Sequence, residues 1–433
     1  MCHSAQKLAV ILLLLLFASV SYGNQETPDF YCDPGEESGL SHAFAGKPIS
    51  LVSGAETFSR TDLALGSLYP IIVQRRYNSR SGYDSPLGYG WALNYDKRIY
   101  TYPDGSVTLR KECGWKIRFT WSAAGYLPST GETGTLVQNV DGSFLYIDKS
   151  GEKETYDAQG RLTSMTDSKG NSLVLTYTGA TRESLWGLLL ANIDQTSPLI
   201  VAYDYHLSKI EEKDATDTLT GNKVELHYSA ATGRLMDIQD NTGRTVSYTQ
   251  DNIGNLTSVA VKNLTSDIVT SATYGYNASS NKHLLTSIDE GQGVYVNTYD
   301  STGKVAKQTH AAGVRDFEYL TPYQKTKLTN TIKDSSGTVL NTQTRIVEFD
   351  TNGQPNKVTD TNGNVRVYTR DSNMLLTREE YWENTGSIDT PNLVLKTATN
   401  YTYDSKGNAL TRTDSLGNVT TWTYHPAFSK VAT

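Results

Sequence analysis

The stretch Tyr403-Asp-Ser-Lys-Gly-Asn-Ala-Leu-Thr-Arg-Thr-Asp-Ser-Leu-Gly-Asn-Val-Thr-Thr-Trp-Thr-Tyr424 decides the fold. It holds Asp-x-x-Gly-Asn twice, at Asp404 to Asn408 and at Asp414 to Asn418. An Asp at the first position of a type I turn accepts a hydrogen bond from the backbone two residues on, and a Gly at the fourth takes the left-handed conformation without steric cost. A type I turn followed by a left-handed Gly closes a β-hairpin with a bulge. Between the turns stand Thr, Val, Leu, Trp and Tyr, which suit a pleated, half-buried surface. The unit is strand, turn, strand, turn.

Working outward, the same turn recurs at Asp148 to Gly151, Asp157 to Gly160, Asp167 to Gly170, Asp240 to Gly243, Asp251 to Gly254 and Asp300 to Gly303. It returns at Asp334 to Gly337, Asp350 to Gly353 and Asp360 to Gly363. The glycines of the clearest pairs (160 and 170, 353 and 363, 407 and 417) set two turns in a repeat of about 20 residues, a stacked-repeat period. Alternation agrees: Leu173, Leu175 and Tyr177 share one face, as do Val224, Leu226 and Tyr228, with Glu225 and His227 opposite. A lone hairpin is marginal in water, so the units must pair and stack. The expected fold is all-β: stacked antiparallel hairpins preceded by a small β domain. Tyr, at 28 residues, supplies faces to pack, and its hydroxyl is expected where the sheet meets solvent. The period slips over 178–195 and 379–390, where longer hairpins or inserted loops are expected.

Length and charge bound the rest. The 433 residues exceed one compact core and suit several domains or a repeat array. Lys plus Arg total 39 against 46 for Asp plus Glu, a scattered net charge of -7, which argues against a nucleic-acid or anionic-membrane surface. At the start, Lys7 precedes the apolar run Leu8 to Val20 and small residues Ser21 and Gly23. That pattern reads as a signal peptide over residues 1–23 and predicts an exported chain; the run is too short for a span, and none is expected after cleavage. Residues 24–46 read as a polar arm. Export would leave Cys32 and Cys113, which could pair in an oxidising compartment or remain separate thiols.

From Lys47 to about residue 120, alternating apolar strands between Gly turns predict a small β domain, with Tyr102-Pro-Asp-Gly105 as a tight turn inside it. Three stretches here, Val52-Ser-Gly-Ala-Glu-Thr-Phe-Ser-Arg-Thr-Asp-Leu-Ala-Leu65, Arg75-Arg-Tyr-Asn-Ser-Arg-Ser-Gly82 and Leu87-Gly-Tyr-Gly-Trp-Ala-Leu-Asn-Tyr-Asp96, resemble the domain that opens many bacterial Rhs proteins. In that family tyrosine–aspartate (YD) repeats follow, as they do here over residues 121–433. The resemblance implies a β-sheet spiralling into a hollow shell. Better-known members enclose a C-terminal toxin domain, and some related surface proteins bind partners or glycans. The family's Asp-Pro-x-Gly core segment, with its autoproteolytic aspartate, is missing, so the array reads as truncated at its C-terminal end and self-cleavage is not expected.

Catalytic chemistry finds little footing. An EF-hand needs Gly at its sixth position and a late Glu, whereas these turns put Gly fourth, so no metal or cofactor site is expected. No nucleophile elbow, zinc helix or phosphate loop occurs. His42, His206, His227, His283, His310 and His425 are dispersed and read as strand-face or loop residues. The pairs Glu211-Glu212 and Asp289-Glu290 place neighbours on opposite faces and read as a solvated edge. The sequons at Asn263 and Asn277 read as chance matches. No catalytic residue is assigned. The expected function is a non-enzymatic exported scaffold whose partner is a cargo or toxin polypeptide or the remaining shell segment. The alternative is a cell-surface adhesion or carbohydrate-binding module, taking glycans or surface proteins as partners.

Overall fold

The computed structural model describes residues 43–112, 114, 116–179, 205–276, 281–321, 324–425, 429 and 431. The expected signal peptide, most of the polar arm, the segment 180–204, His42, Asn277, Cys32 and Cys113 lie outside the described residues.

The turns close as their chemistry dictates. In Asp404 to Asn408 the Gly407 N–H donates to the Asp404 carbonyl at 3.0 Å, and the Asp404 N–H donates to the Asn408 carbonyl at 3.0 Å. The Asp404 carboxylate accepts from the N–H groups of Lys406 and Asn408 and from the Asn408 side chain. Gly407 sits at φ 71°. All eleven Asp-x-x-Gly turns named above share the Gly-to-Asp bond and a positive φ at Gly. Asn at the fifth position earns its place by reaching back to the second carboxylate oxygen, and Arg161 and Arg244 do the same from that position.

Three further turns adopt this geometry without Gly. Asp217, Ser266 and Met374 take the fourth position at φ 64°, 64° and 67°. Each is held by a first-position Asp or Asn that accepts from two backbone N–H groups. Asn263 is therefore a turn-forming residue rather than a loose sequon.

Among the described residues these turns string 23 strands into one antiparallel sheet in strict chain order, from β12 (Thr135–Gln138) to β34 (Val419–Thr421). Connections from odd to even strands fall on one rim, and those from even to odd strands fall on the other. The slip over 379–390 is a long hairpin, β31 (Leu376–Asn384) with β32 (Leu393–Tyr403).

Tyrosine has a role other than the one expected of it. Its hydroxyl is not at the solvent boundary but turned inward as a peg. At or near the end of an even strand it donates to a carbonyl at or near the start of the strand before, as Tyr177 does to Leu162, Tyr228 to Leu207, Tyr276 to Leu256 and Tyr319 to Val305. Where the same place holds Gln250 or Arg370, its side-chain N–H donates to the matching carbonyl of Leu235 or Pro355. The demand that recurs from hairpin to hairpin is for a donor, because the bulge leaves that carbonyl without a ladder partner.

The sheet comes round to meet itself. Lys149, in the turn between β13 (Phe144–Ile147) and β14 (Lys153–Tyr156), donates to the Gly407 carbonyl at 2.7 Å. Nearby, a Cβ on Gly131 would come within 3.3 Å of Met374 Sδ. Lys149 lies on the odd-to-even rim, and Gly407 and Met374 lie on the other. One lap thus rests edgewise on the next: the sheet is a spiral, not a closed barrel.

The small strands of the opening unit form separate sheets. They are β1 (Phe44–Ala45) with β2 (Ile49–Ser50); β3 (Thr57–Leu65), β4 (Ile71–Asn78) and β7 (Trp91–Leu93); β5 (Asp84–Ser85) with β6 (Gly88–Tyr89). A fourth sheet holds β8 (Arg98–Thr101), β9 (Val107–Arg110), β10 (Lys116–Ser122) and β11 (Gly125–Pro128). This unit reaches from Glu154 in β14 to Arg345 in β28 (Val339–Phe349), across most of the lap. So short a segment can touch so many strands only from the concave side.

Candidate functional site: the covered concave face

The concave face is apolar because alternate side chains of each strand point into it. One buried cluster joins Phe58, Tyr77 and Trp91 to Leu226, Ile238, Tyr248, Tyr274 and Ile288 of the array. A second joins Ala43, Ile49 and Leu51 to Val305, Phe317, Leu328 and Val347. Trp91 is the centrepiece: fully buried, edge-on to Phe58 at 5.5 Å, with its indole N–H donating to the Tyr276 hydroxyl at 2.8 Å. Backbone stitches fix the register of the two layers. Ile99 N–H donates to the Gly160 carbonyl, Tyr89 N–H to that of Gly254 and Val305 N–H to that of Gly54.

Charged groups meet at the same interface. Asp62 and Arg75 form a buried ion pair, which Tyr248 and Tyr274 complete by donating to Asp62 and accepting from Arg75. Breaking either member would strand a buried charge. Glu290 of the array takes Lys47 and Arg60 of the opening unit at 2.6 and 2.8 Å. Glu154 takes Lys97 at 2.6 Å. Burial pushes both carboxyls up, yet their cationic partners outweigh it and hold them below the usual range. At Glu290 and Glu154 the array is the acidic side and the opening unit the basic one, and at Arg234 with Asp84 the signs are reversed.

Glu212 corrects the reading of Glu211-Glu212 as a solvated edge. The two do point to opposite faces, but Glu212 is fully buried. Its Oε1 accepts from the N–H groups of Ser67, Leu68 and Tyr69, so it caps the turn between β3 and β4, while Thr220 and Asn222 donate to Oε2. Burial raises this carboxyl's pKa, and those hydrogen bonds bring it below the usual value. Glu290 is likewise a paired interface residue rather than a solvated one.

Glu56 behaves oppositely. It is wholly buried, its Oε1 has no hydrogen-bond partner, and Oε2 takes a long 3.3 Å bond from Tyr299. Burial drives its pKa from 4.5 to about 8, against hydrogen bonds from Asn297 and Tyr299 and the charge of Lys47. At neutral pH this carboxyl is largely protonated.

The histidines serve packing. His206 stacks on Tyr228, His283 on Tyr89 and His310 on Tyr295, and His227 pairs with Asp237. Among the described residues no group of three His, Cys, Asp or Glu could hold a metal ion, and no helix is long and apolar enough to cross a membrane. The cover ends near β30 (Val365–Arg370): from Asp371 on, Asn408 is the one described residue that is buried.

Residues 46–119 match the family model described as "Domain of unknown function (DUF6531)". The chain is 32% identical over 143 residues to "Probable deoxyribonuclease RhsB" of Dickeya dadantii (strain 3937), a match covering 31% of this chain and 10% of that protein. It is 31% identical over 143 residues to "Probable deoxyribonuclease RhsA" of the same strain. The chain thus matches about a tenth of the length of these relatives. Among solved structures, "Crystal Structure of TcdB2-TccC3-TEV" aligns with 84% of this chain and 21% of its own, at 13% identity and a TM-score of 0.36.

Proposed function

We infer that this Rhs/YD-repeat chain is a scaffold, a spiral wall whose early strands are lined by their own opening unit and whose later strands offer a bare face to a cargo polypeptide. One observation carries the reading. The concave face is sealed by named apolar and ionic contacts up to Tyr368, and then the burial stops while the strands continue. A wall built for its opening unit alone would need no further strands. The proposed role of the interface is enclosure rather than turnover.

Three finer points belong to the same proposal. Residues 1–23 direct export, residues 47–120 act as the insert and the array begins after them, and Cys32 pairs with Cys113 once outside the cell. Photo-crosslinking groups placed at Tyr381 and Tyr401, which the strand register sets on the same face as Tyr368, in the native exported protein test the main point. Crosslinks to a polypeptide encoded at the same locus are expected. Crosslinks confined to glycans would overturn it in favour of a carbohydrate-binding module. The aromatic pair Trp121 and Tyr126, with Trp121 58% exposed, would serve such a module.

A further inference from the structure

Four long hairpins rise above their neighbours on the odd-to-even rim. They are β17 (Tyr205–Lys213) with β18 (Leu219–Tyr228), β21 (Leu256–Lys262) with β22 (Ile268–Tyr276), β27 (Lys325–Lys333) with β28, and β31 with β32. The second strand of each stands beside a shorter hairpin and is paired with it only in part. β33 (Ala409–Thr413), for example, pairs with Asn400 to Tyr403 and leaves residues 393–399 of β32 without a strand on that side. An unpaired edge of this kind is a template for another chain.

Two of the four edges are blunted by the second residue of the neighbouring turn. Asn241 exchanges bonds with the Lys223 backbone, and Thr361 with both the N–H and the carbonyl of Thr344. Ser415 holds the matching place beside β32 and makes no such bond. A notch of about 440 Å³ opens there instead, between Leu395 to Asn400 and the Asp414 to Gly417 turn. Leu393, Val394 and Leu395 are each about 40% exposed along the bare edge.

We propose that residues 393–399 of β32 are a strand acceptor, taking an extended peptide with aliphatic residues at alternate positions and a carboxylate at its centre. The peptide continues an existing ladder, since β31 already pairs with the other side of β32 from Leu393 to Asn400. The charge follows from Lys396 in the middle of the edge, whose ion pair with Glu383 is solvent-exposed and open to a second carboxylate. The same lysine argues against a second copy of this chain: centred pairing of two such edges would set Lys396 against Lys396. Main-chain bonds supply affinity and alternate side chains supply choice, as in other strand additions. The inference does not depend on the enclosure reading.

A fluorescein-labelled peptide, Ile-Thr-Val-Glu-Val-Thr-Ile, added to the full chain tests it by anisotropy. Saturable binding is expected, weakened at least about tenfold by Lys396→Glu and recovered by the same peptide with Lys at its centre. N-methylation of alternate amides on the pairing edge is expected to abolish binding. Circular dichroism checks that the variant, altered at an exposed tip, stays folded. Three outcomes would overturn the proposal: no saturation up to about 1 mM, N-methylated peptide binding equally well, or indifference to Lys396→Glu. A concentration-dependent dimer in sedimentation that Lys396→Glu changes would also overturn it, in favour of a second copy.

Discussion

At the residue scale the turn is a local bargain between Asp, which collects backbone N–H groups, and Gly, which accepts a left-handed φ. Its tolerance depends on what surrounds it. A Cβ on Gly417 meets open space, so Gly417→Ala should cost about 1 kcal/mol, the strain alone. A Cβ on Gly160 would lie 2.0 Å from the Ile99 carbonyl oxygen and break a stitch to the opening unit. Gly160→Ala should therefore destabilise clearly more, as thermal unfolding of both variants will show. Glu56 offers a second test. Folded, it keeps its proton to about pH 8; unfolded, only to about 4.5. The folded chain holds the extra proton between those values, so stability is full below the lower one, falls by up to about 1.4 kcal/mol per unit through the window and levels off above it. Urea midpoints at pH 5 and pH 8 should show that Glu56→Gln flattens this contribution, and an unchanged slope would contradict it. The Asp-x-x-Gly turns were legible in sequence because all their chemistry is within five residues. Those at Asp217, Ser266 and Met374 were not, because the residue that pays the strain carries no mark of it.

At the element scale the tyrosine pegs tie each hairpin to its predecessor. Tyr276 does this twice, donating to the Leu256 carbonyl and accepting from Trp91. Tyr276→Phe leaves two buried groups unpaired and should cost about 2–4 kcal/mol. Tyr403 makes one bond, to the Leu376 carbonyl, in a half-exposed place, and Tyr403→Phe should cost about 1 kcal/mol or less. Chemical denaturation of the pair gives the comparison. Strand alternation and the 20-residue beat were visible in the sequence. The inward turn of the hydroxyl was not, since its partner carbonyl lies 14 to 27 residues away and belongs to a bulge.

At the scale of the whole molecule, the array's concave face depends on the opening unit for cover. A chain begun at residue 121 would expose the apolar and acidic groups that now meet Trp91, Lys97 and Arg60. It should bind a hydrophobic dye and lose amide protection between residues 205 and 350, while adding the separate opening unit back should restore part of it. Retained protection in the shortened chain would show that the sheet stands by itself. Nothing in the sequence announced this dependence. Asp62 with Tyr248, Glu290 with Lys47 and Ser67 with Glu212 are separated by 186, 243 and 145 residues, and no local pattern links such distances.

The rim-on-rim contact of Lys149 with Gly407 has a genetic corollary. A barrel must close first strand to last, which ties circumference to strand count and stagger. A coil that climbs as it turns has no such seam to satisfy. Its gene is free to gain or lose whole hairpins by duplication or deletion, like threads added to a screw. A single extra strand, however, would exchange the two rims for everything downstream, so changes in length are confined to even steps.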